Sequence, residues 1–81
     1  MVITLSNLPA HITEEHIVDM LKGDTRIQKI TLNNDGNPDK VMAFVEMDID
    51  RLEAAFLSKH LDQSFFGDRR IQAYTPLFFS R

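Results

Sequence analysis

Residues 40 to 47 read Lys-Val-Met-Ala-Phe-Val-Glu-Met. Successive side chains leave opposite faces of a strand, so Ala43, Val45 and Met47 share one side and Met42, Phe44 and Glu46 the other. The first set suits a core. The second puts a ring and a thioether on a sheet face, where an exposed ring can stack on an unpaired nucleobase for about 1–3 kcal/mol. A methionine can pack against a base but supplies no ring. More candidate groups fall at outward positions of other strand-like segments: Thr4 and Ser6, Lys29 and Thr31, and Arg70, Gln72 and Tyr74. Thr4 and Ser6 can donate hydrogen bonds to bases, Tyr74 can stack, and Lys29, Lys40 and Arg70 can meet phosphates. Glu46, on the same face, opposes phosphate. Each has a plainer role as well. Met42 can fill a gap, Tyr74 can shield an edge, strand threonines are commonly solvated, and Phe78 or Phe79 can fold back over Phe44.

Catalytic and metal chemistry finds little footing. His11 and His16 are five positions apart, off the i, i+4 spacing of a helical zinc pair. The segment Asn33 to Asp39 resembles a calcium loop only superficially. Placing Gly36 at the sixth position brings Met42 to the twelfth, where a bidentate glutamate is needed. The chain has no nucleophile elbow, phosphate-cradling glycine loop or acid/base pair. Its acidic residues fall at helix starts and turns, where capping accounts for them. A non-enzymatic chain without cofactor or metal is expected.

The elements that must position these residues follow from periodicity. Val2 to Ser6 reads as a strand, with Ile3 and Leu5 on the buried side, and Asn7-Leu8-Pro9 ends it. Thr13 is a suitable N-cap, with Glu14 and Glu15 at the positive end of the helix dipole. Ile12 and Ile17 can form a hydrophobic staple. Ile17, Met20 and Leu21 make an apolar stripe, and Gly23 closes the helix. Ile27 to Asn33 is a second strand, Asn34 to Pro38 a turn cluster, and Lys40 to Met47 the third strand. Asp50 caps a second helix, Glu53 completes a capping-box pattern, and Leu52, Ala55 and Phe56 form the expected buried stripe. Phe66-Gly67-Asp68 makes a turn. Arg69 to Tyr74 is the fourth strand, with Ile71 and Ala73 inward. The order β-α-β-β-α-β predicts a ferredoxin-like α+β sandwich: a four-stranded antiparallel sheet with two helices on one face and the other face open.

The chain has 81 residues and no cysteine, which fits one domain held by an apolar core without disulfides. Residues 1–76 are expected to form the domain and 77–81 a short apolar tail. No apolar run approaches the roughly 20 residues that span a bilayer, and the start lacks the basic flank of a secretory signal. The sequence reads as a complete small protein or a closely cut domain, cytoplasmic, or nuclear in a eukaryote. The formal net charge of −3 argues against strong non-specific nucleic-acid binding. The signs are segregated, however. Glu14, Glu15, Asp19 and Asp24 gather in the first helix and its end, while Lys29, Lys40, Arg69 and Arg70 lie in or beside strands.

The segment Ile3-Thr4-Leu5-Ser6-Asn7-Leu8, followed by Pro9, resembles the hexapeptide of the RNA recognition motif (RRM), and Lys40 to Met47 resembles its octapeptide. With the element order, the likeness covers nearly the whole chain. It implies the ferredoxin-like fold and single-stranded RNA bound on the open sheet face. Thr4 and Met42 stand where the family has stacking aromatics and Val41 where it has glycine, so Phe44 alone keeps its ring. The chain is also similar to the quasi-RRM variant, which binds guanine-rich single strands through loops. Met42 to Met47 reads M-A-F-V-E-M, Lys59-His60 is present, and Gly67 to Tyr74 reads G-D-R-R-I-Q-A-Y. Arg70 and Ala10 replace that variant's aromatics. A third variant binds tryptophan-bearing peptides through an acidic first helix and an Arg-x-Phe motif. Here the helix is acidic and Phe66 fits, but Ser64 replaces the arginine.

Two functions are therefore expected to compete. One is weak binding of single-stranded RNA through Phe44 and Met42, flanked by Thr4, Ser6, Thr31, Gln72 and Tyr74, with Lys29, Lys40 and Arg70 drawing the backbone. The other is a protein-interaction module, a homodimer among its forms, using the same exposed sheet and the apolar tail.

Overall fold

A computed structural model of the chain describes residues 1–34, 36 and 39–75. The alternating aliphatic segments become three strands, β1 (Val2–Leu8), β2 (Ile27–Asn33) and β3 (Val41–Met47). Helix α1 (Glu14–Met20) follows β1, and helix α2 (Arg51–Leu61) follows β3. A short hairpin, β4 (Phe65–Phe66) with β5 (Arg69–Arg70), precedes the last strand, β6 (Gln72–Tyr74). The main sheet has the order β2-β3-β1-β6, and all neighbours are antiparallel. This is the ferredoxin-like α+β arrangement, with the hairpin as an addition. Among the described residues no helix is long and apolar enough to cross a membrane. The expected 77–81 tail, with Phe78 and Phe79, and part of the expected turn at 34–38 lie outside the described residues.

One face of the sheet makes the core. Ile3 and Leu5 of β1, Ala43, Val45 and Met47 of β3, and Ala73 of β6 are buried there with Leu8, Ile71, Ile12, Ile17, Leu21 and Leu61. Burying each large aliphatic side chain contributes about 1.5–3 kcal/mol. Two irregularities keep the inward sets in phase. On β2, Ile27 pairs with Met47 but Lys29 with Glu46, so Gln28 is bulged out and Ile27 and Ile30 both pack against the core. On β1, Leu5 pairs with Ala43 and Leu8 with Val41. The extra residue is absorbed where Asn7 takes φ 64°, a conformation asparagine tolerates better than most side chains. The expected end of the strand at Ser6 is thus a bulge, after which Leu8 returns to the core, fully buried.

Helix α1 begins as expected. The Thr13 hydroxyl accepts from the His16 amide, and His16 Nδ1 accepts from the Thr13 amide at 3.1 Å. A histidine therefore closes this capping box in place of the usual glutamate or glutamine. At α2 the expected box is only half formed. Asp50 accepts from the Glu53 amide at 2.8 Å, but the Glu53 carboxylate pairs with Arg26, which also holds Asp24 at 2.7 Å. The guanidinium, a charged donor, holds the carboxylate more strongly than a neutral backbone amide would. Arg26 so ties the start of β2 to α2, and it holds the Asp24 carboxyl down at about 2.

The expected buried stripe of α2 is wrong. Leu52 and Phe56 are 82% and 69% exposed, and Ala55 is exposed. The helix buries Ala54, Ser58 and Leu61 instead, the adjacent i, i+4, i+7 stripe. Small residues let the helix lie close to β6, where Thr75 donates from Oγ1 to the Ala54 carbonyl at 3.2 Å and meets the Ser58 hydroxyl. Ala54→Leu should accordingly overpack this contact and cost roughly 1–3 kcal/mol. Leu52→Gln should stay within about 0.5 kcal/mol of the parent. Urea midpoints measured side by side check the order of the two, which the expected stripe would reverse.

The Asp24–Arg26 pair gives a pH signature. A carboxyl whose folded pKa lies below its ordinary 3.8 stabilises the fold above that value and loses this contribution as pH falls toward the folded one. The stability gap between the parent and Asp24→Asn should be constant from neutral pH down to the ordinary carboxylate range. It should shrink as pH drops from 3.8 toward about 2. Denaturant melts across that window test this, and a gap that widens with acid would contradict it.

Candidate functional site

The side chains that do not enter the core form rows across the helix-free face. Thr31, Phe44, Thr4 and Tyr74 make one row, since Thr31 pairs with Phe44, Phe44 with Thr4, and Thr4 with Tyr74. This row runs through all four strands. Phe44 is half-buried and Tyr74 is 49% exposed. The two residues stand two strands apart, about 10 Å at the usual spacing.

Thr4 lies between them but is only 2% exposed. The expected surface hydroxyl is therefore part of the floor between the two rings. Parity placed Thr4 on the right face, but burial there depends on the neighbours of a central strand, which parity does not describe.

On one side of this row stand Lys29 and Glu46, paired across β2 and β3. Lys29 is exposed as expected, but its charge faces a carboxylate in register. On the other side lie Asn33 paired with Met42, and Ser6 paired with Gln72. Here the surface opens into a cavity of about 510 Å³ lined by Ser6, Asn7, Asn33, Asn34, Lys40, Met42 and Gln72. Four of the expected residues, Ser6, Lys40, Met42 and Gln72, meet there. Ser6 donates from Oγ to Gln72 Oε1 at 3.4 Å.

Three asparagines complete the cavity and escaped the sequence reading. Asn33 continues the outward parity of Lys29 and Thr31, so the alternation contained it. Asn7 and Asn34 sit at a bulge and a turn, where asparagine usually signals backbone geometry alone. Asn7 serves both purposes. Its side chain donates from Nδ2 to the Arg70 carbonyl at 2.9 Å, which fastens β5 beside the cavity.

Arg70 is not on the main sheet. The expected fourth strand is divided at Ile71. Arg69 and Arg70 pair with Phe66 and Phe65 in the hairpin, and only Gln72 to Tyr74 joins β1. The turn at Gly67-Asp68 starts with φ 66° at Gly67, as two-residue hairpin loops of the type II′ kind require. Arg70 lies over the Phe65 ring, 5.4 Å from its centroid. Phe66 on the other side of the hairpin packs against the core, with the His16 and His11 rings 5.1 and 6.0 Å away. Those two histidines thus surround a phenylalanine, and no group of three metal-ligating side chains occurs among the described residues.

No protein-family model and no curated protein matches the sequence. Solved structures do match its fold. The third RRM domain of Pes4 superimposes with a TM-score of 0.79 at 18% identity, covering 99% of this chain and 95% of that one. The Rna15 RRM, solved with bound RNA (GU), gives a TM-score of 0.72 at 20% identity over 99% and 86% of the two chains. The first RRM of Plasmodium falciparum SR1, solved in complex with ACAUCA RNA, gives 0.65 at 23% identity over 93% and 82%. These neighbours are RRM domains rather than enzymes. The sheet order, the helices on one face and these superpositions agree that this chain has a divergent RNA recognition motif fold.

Proposed function

We propose that this protein binds single-stranded RNA weakly on the helix-free face of its sheet. The observation that carries the reading is the row through all four strands that presents Phe44 and Tyr74 on one face, with Thr4 between them, bordered by an amide-lined cavity. One base can stack on each ring, with Met42 packing beside Phe44. The side chains of Ser6, Gln72 and Asn7 offer donors and acceptors at the cavity wall, and Lys40 at its rim suits a phosphate. Thr4 supports the two rings from below, and Thr31 borders Phe44 on the β2 side. Two of the structural neighbours were solved with RNA, which is consistent with this use of the fold. Weakness follows from the single ring on β3 and from the net charge of −3. Dissociation constants of roughly micromolar or above are expected.

A protein-binding role without RNA is the second reading. The feature that favours it lies on α2 rather than on the sheet, where Leu52 and Phe56 are largely exposed.

A chemical-shift titration with pooled short RNAs at low salt separates the two. Shifts at Met42, Phe44, Gln72 and Tyr74 are expected. Phe44→Ala, which removes a half-buried ring outside the core, should remain folded and bind about 5- to 150-fold more weakly, the equivalent of roughly 1–3 kcal/mol of stacking. Affinity should fall with salt, with a log–log slope of about −1.4 for two phosphates engaged on a single strand. A folded Phe44→Ala protein that binds as the parent does would remove the ring from the site.

A further inference from the structure

We propose that Phe65 and Arg70 on the β4–β5 hairpin form a second nucleobase-stacking site, taking the base of an RNA strand that leaves the sheet past the amide-lined cavity. This rests on the RNA reading above. Phe65 is 64% exposed, whereas the adjacent Phe66 packs against the core. Its cross-strand partner is Arg70, whose guanidinium covers one side of the ring. The remaining exposure leaves ring surface for a base, and the guanidinium adds a cation–π contribution and attraction for the neighbouring phosphate.

The hairpin holds this pair on a firm mount. Gln63 donates its amide to the Ile71 carbonyl at 2.8 Å, and Ile71 donates to the Ser64 carbonyl at 2.7 Å. Ile71 is fully buried. Arg69, on the opposite side of the hairpin from Phe65, donates to the Asp39 carbonyl and so links the hairpin to the chain just before Lys40. A ring held this way loses little freedom when a base stacks on it.

Position and the size of the exposed apolar surface both favour a nucleic acid over a protein. The Asn7 side chain lines the cavity and bonds the Arg70 carbonyl, so the hairpin adjoins the candidate site without a gap in the chain of contacts. Lys40 lines the cavity and Arg69 and Arg70 lie on the hairpin, where they can meet phosphates of the same strand. Phe65 is also the only large apolar side chain on the hairpin with more than half its surface exposed among the described residues. A protein contact needs a contiguous apolar patch, but one ring suffices for one base. Every base has a π-face, so stacking at Phe65 should tolerate any base.

The test compares two random-sequence single-stranded RNA pools, one of about three nucleotides and one of about eight, within the site sizes typical of such binders. Phe65→Ala should weaken the longer pool at least about fivefold and leave the shorter within twofold, while Phe44→Ala weakens both. Phe65→Trp should bind the longer pool as the parent does. Its indole fluorescence should be quenched by that pool alone, a signature that loss of charge or of stability would not give. If Phe65→Ala binds the longer pool like the parent while Phe44→Ala does not, the hairpin site is overturned and the sheet site stands. If the parent binds neither pool, both are overturned.

Discussion

The antiparallel pairing of β1 with β3 is the constraint on which the rest of the structure depends. Leu5 opposite Ala43 and Ile3 opposite Val45 close the core, and the same register sets Thr4 opposite Phe44 on the outer face. Core and candidate site are therefore two sides of one ladder. A slip by one residue would turn every side chain of β1 to the other face. It would set Thr4 and Ser6 among the aliphatic groups of the core and turn Ile3 and Leu5 to the outer face. The core contacts of those two side chains are what hold the outer row in its arrangement. Stability in the core thus specifies geometry at the surface without any strong contact among the surface residues themselves.

The bulge at Asn7 adds what a regular ladder cannot. It shifts β1 by one residue, sends Leu8 back to the core, and opens the margin of the sheet where the amide-lined cavity lies. It also frees the Asn7 side chain to reach the Arg70 carbonyl. A backbone irregularity, a cavity wall and the anchor of the hairpin are united in one residue. Bulges next to binding surfaces commonly re-aim side chains in this way. The same backbone step would be harder for a β-branched residue, which strongly resists positive φ.

The legible part of the molecule was whatever depends on strand parity. The alternation across residues 41–47 and 71–74 sorted inward from outward correctly, and the order of elements identified the sheet and the face that the helices leave open. What parity does not encode was missed. The stripe of α2 failed because a large apolar residue at 52 or 56 outweighs a small one at 54 or 58 in any hydrophobic pattern. The structure instead needs small groups where the helix meets β6. The capping box of α2 failed because Glu53 has a distant competitor, Arg26, invisible to local sequence. The hairpin escaped because two-residue strands have no period. In the candidate site, Phe44, Met42, Gln72 and Tyr74 were placed on the correct face. Thr4 was placed there too, but its burial depends on flanking strands that become neighbours only in the fold.

The charges show why a net value is a poor guide to what such a surface attracts. Arg26 is committed to Asp24 and Glu53 on the helical side. Lys29 stands opposite Glu46, so the end of the open face nearest β2's bulge is electrically balanced. Arg69, by contrast, donates to the neutral Asp39 carbonyl, Arg70 lies over a ring face, and Lys40 lines the cavity. Glu14, Glu15 and Asp19 are exposed on α1, in the helical layer of the fold. At physiological ionic strength charges beyond about 8 Å are largely screened, so the potential at any point of the face is set by the side chains nearest to it and not by the net charge. Along the open face, then, Lys29 and Glu46 stand opposite each other at one end, and Lys40 and the hairpin arginines lie at the other.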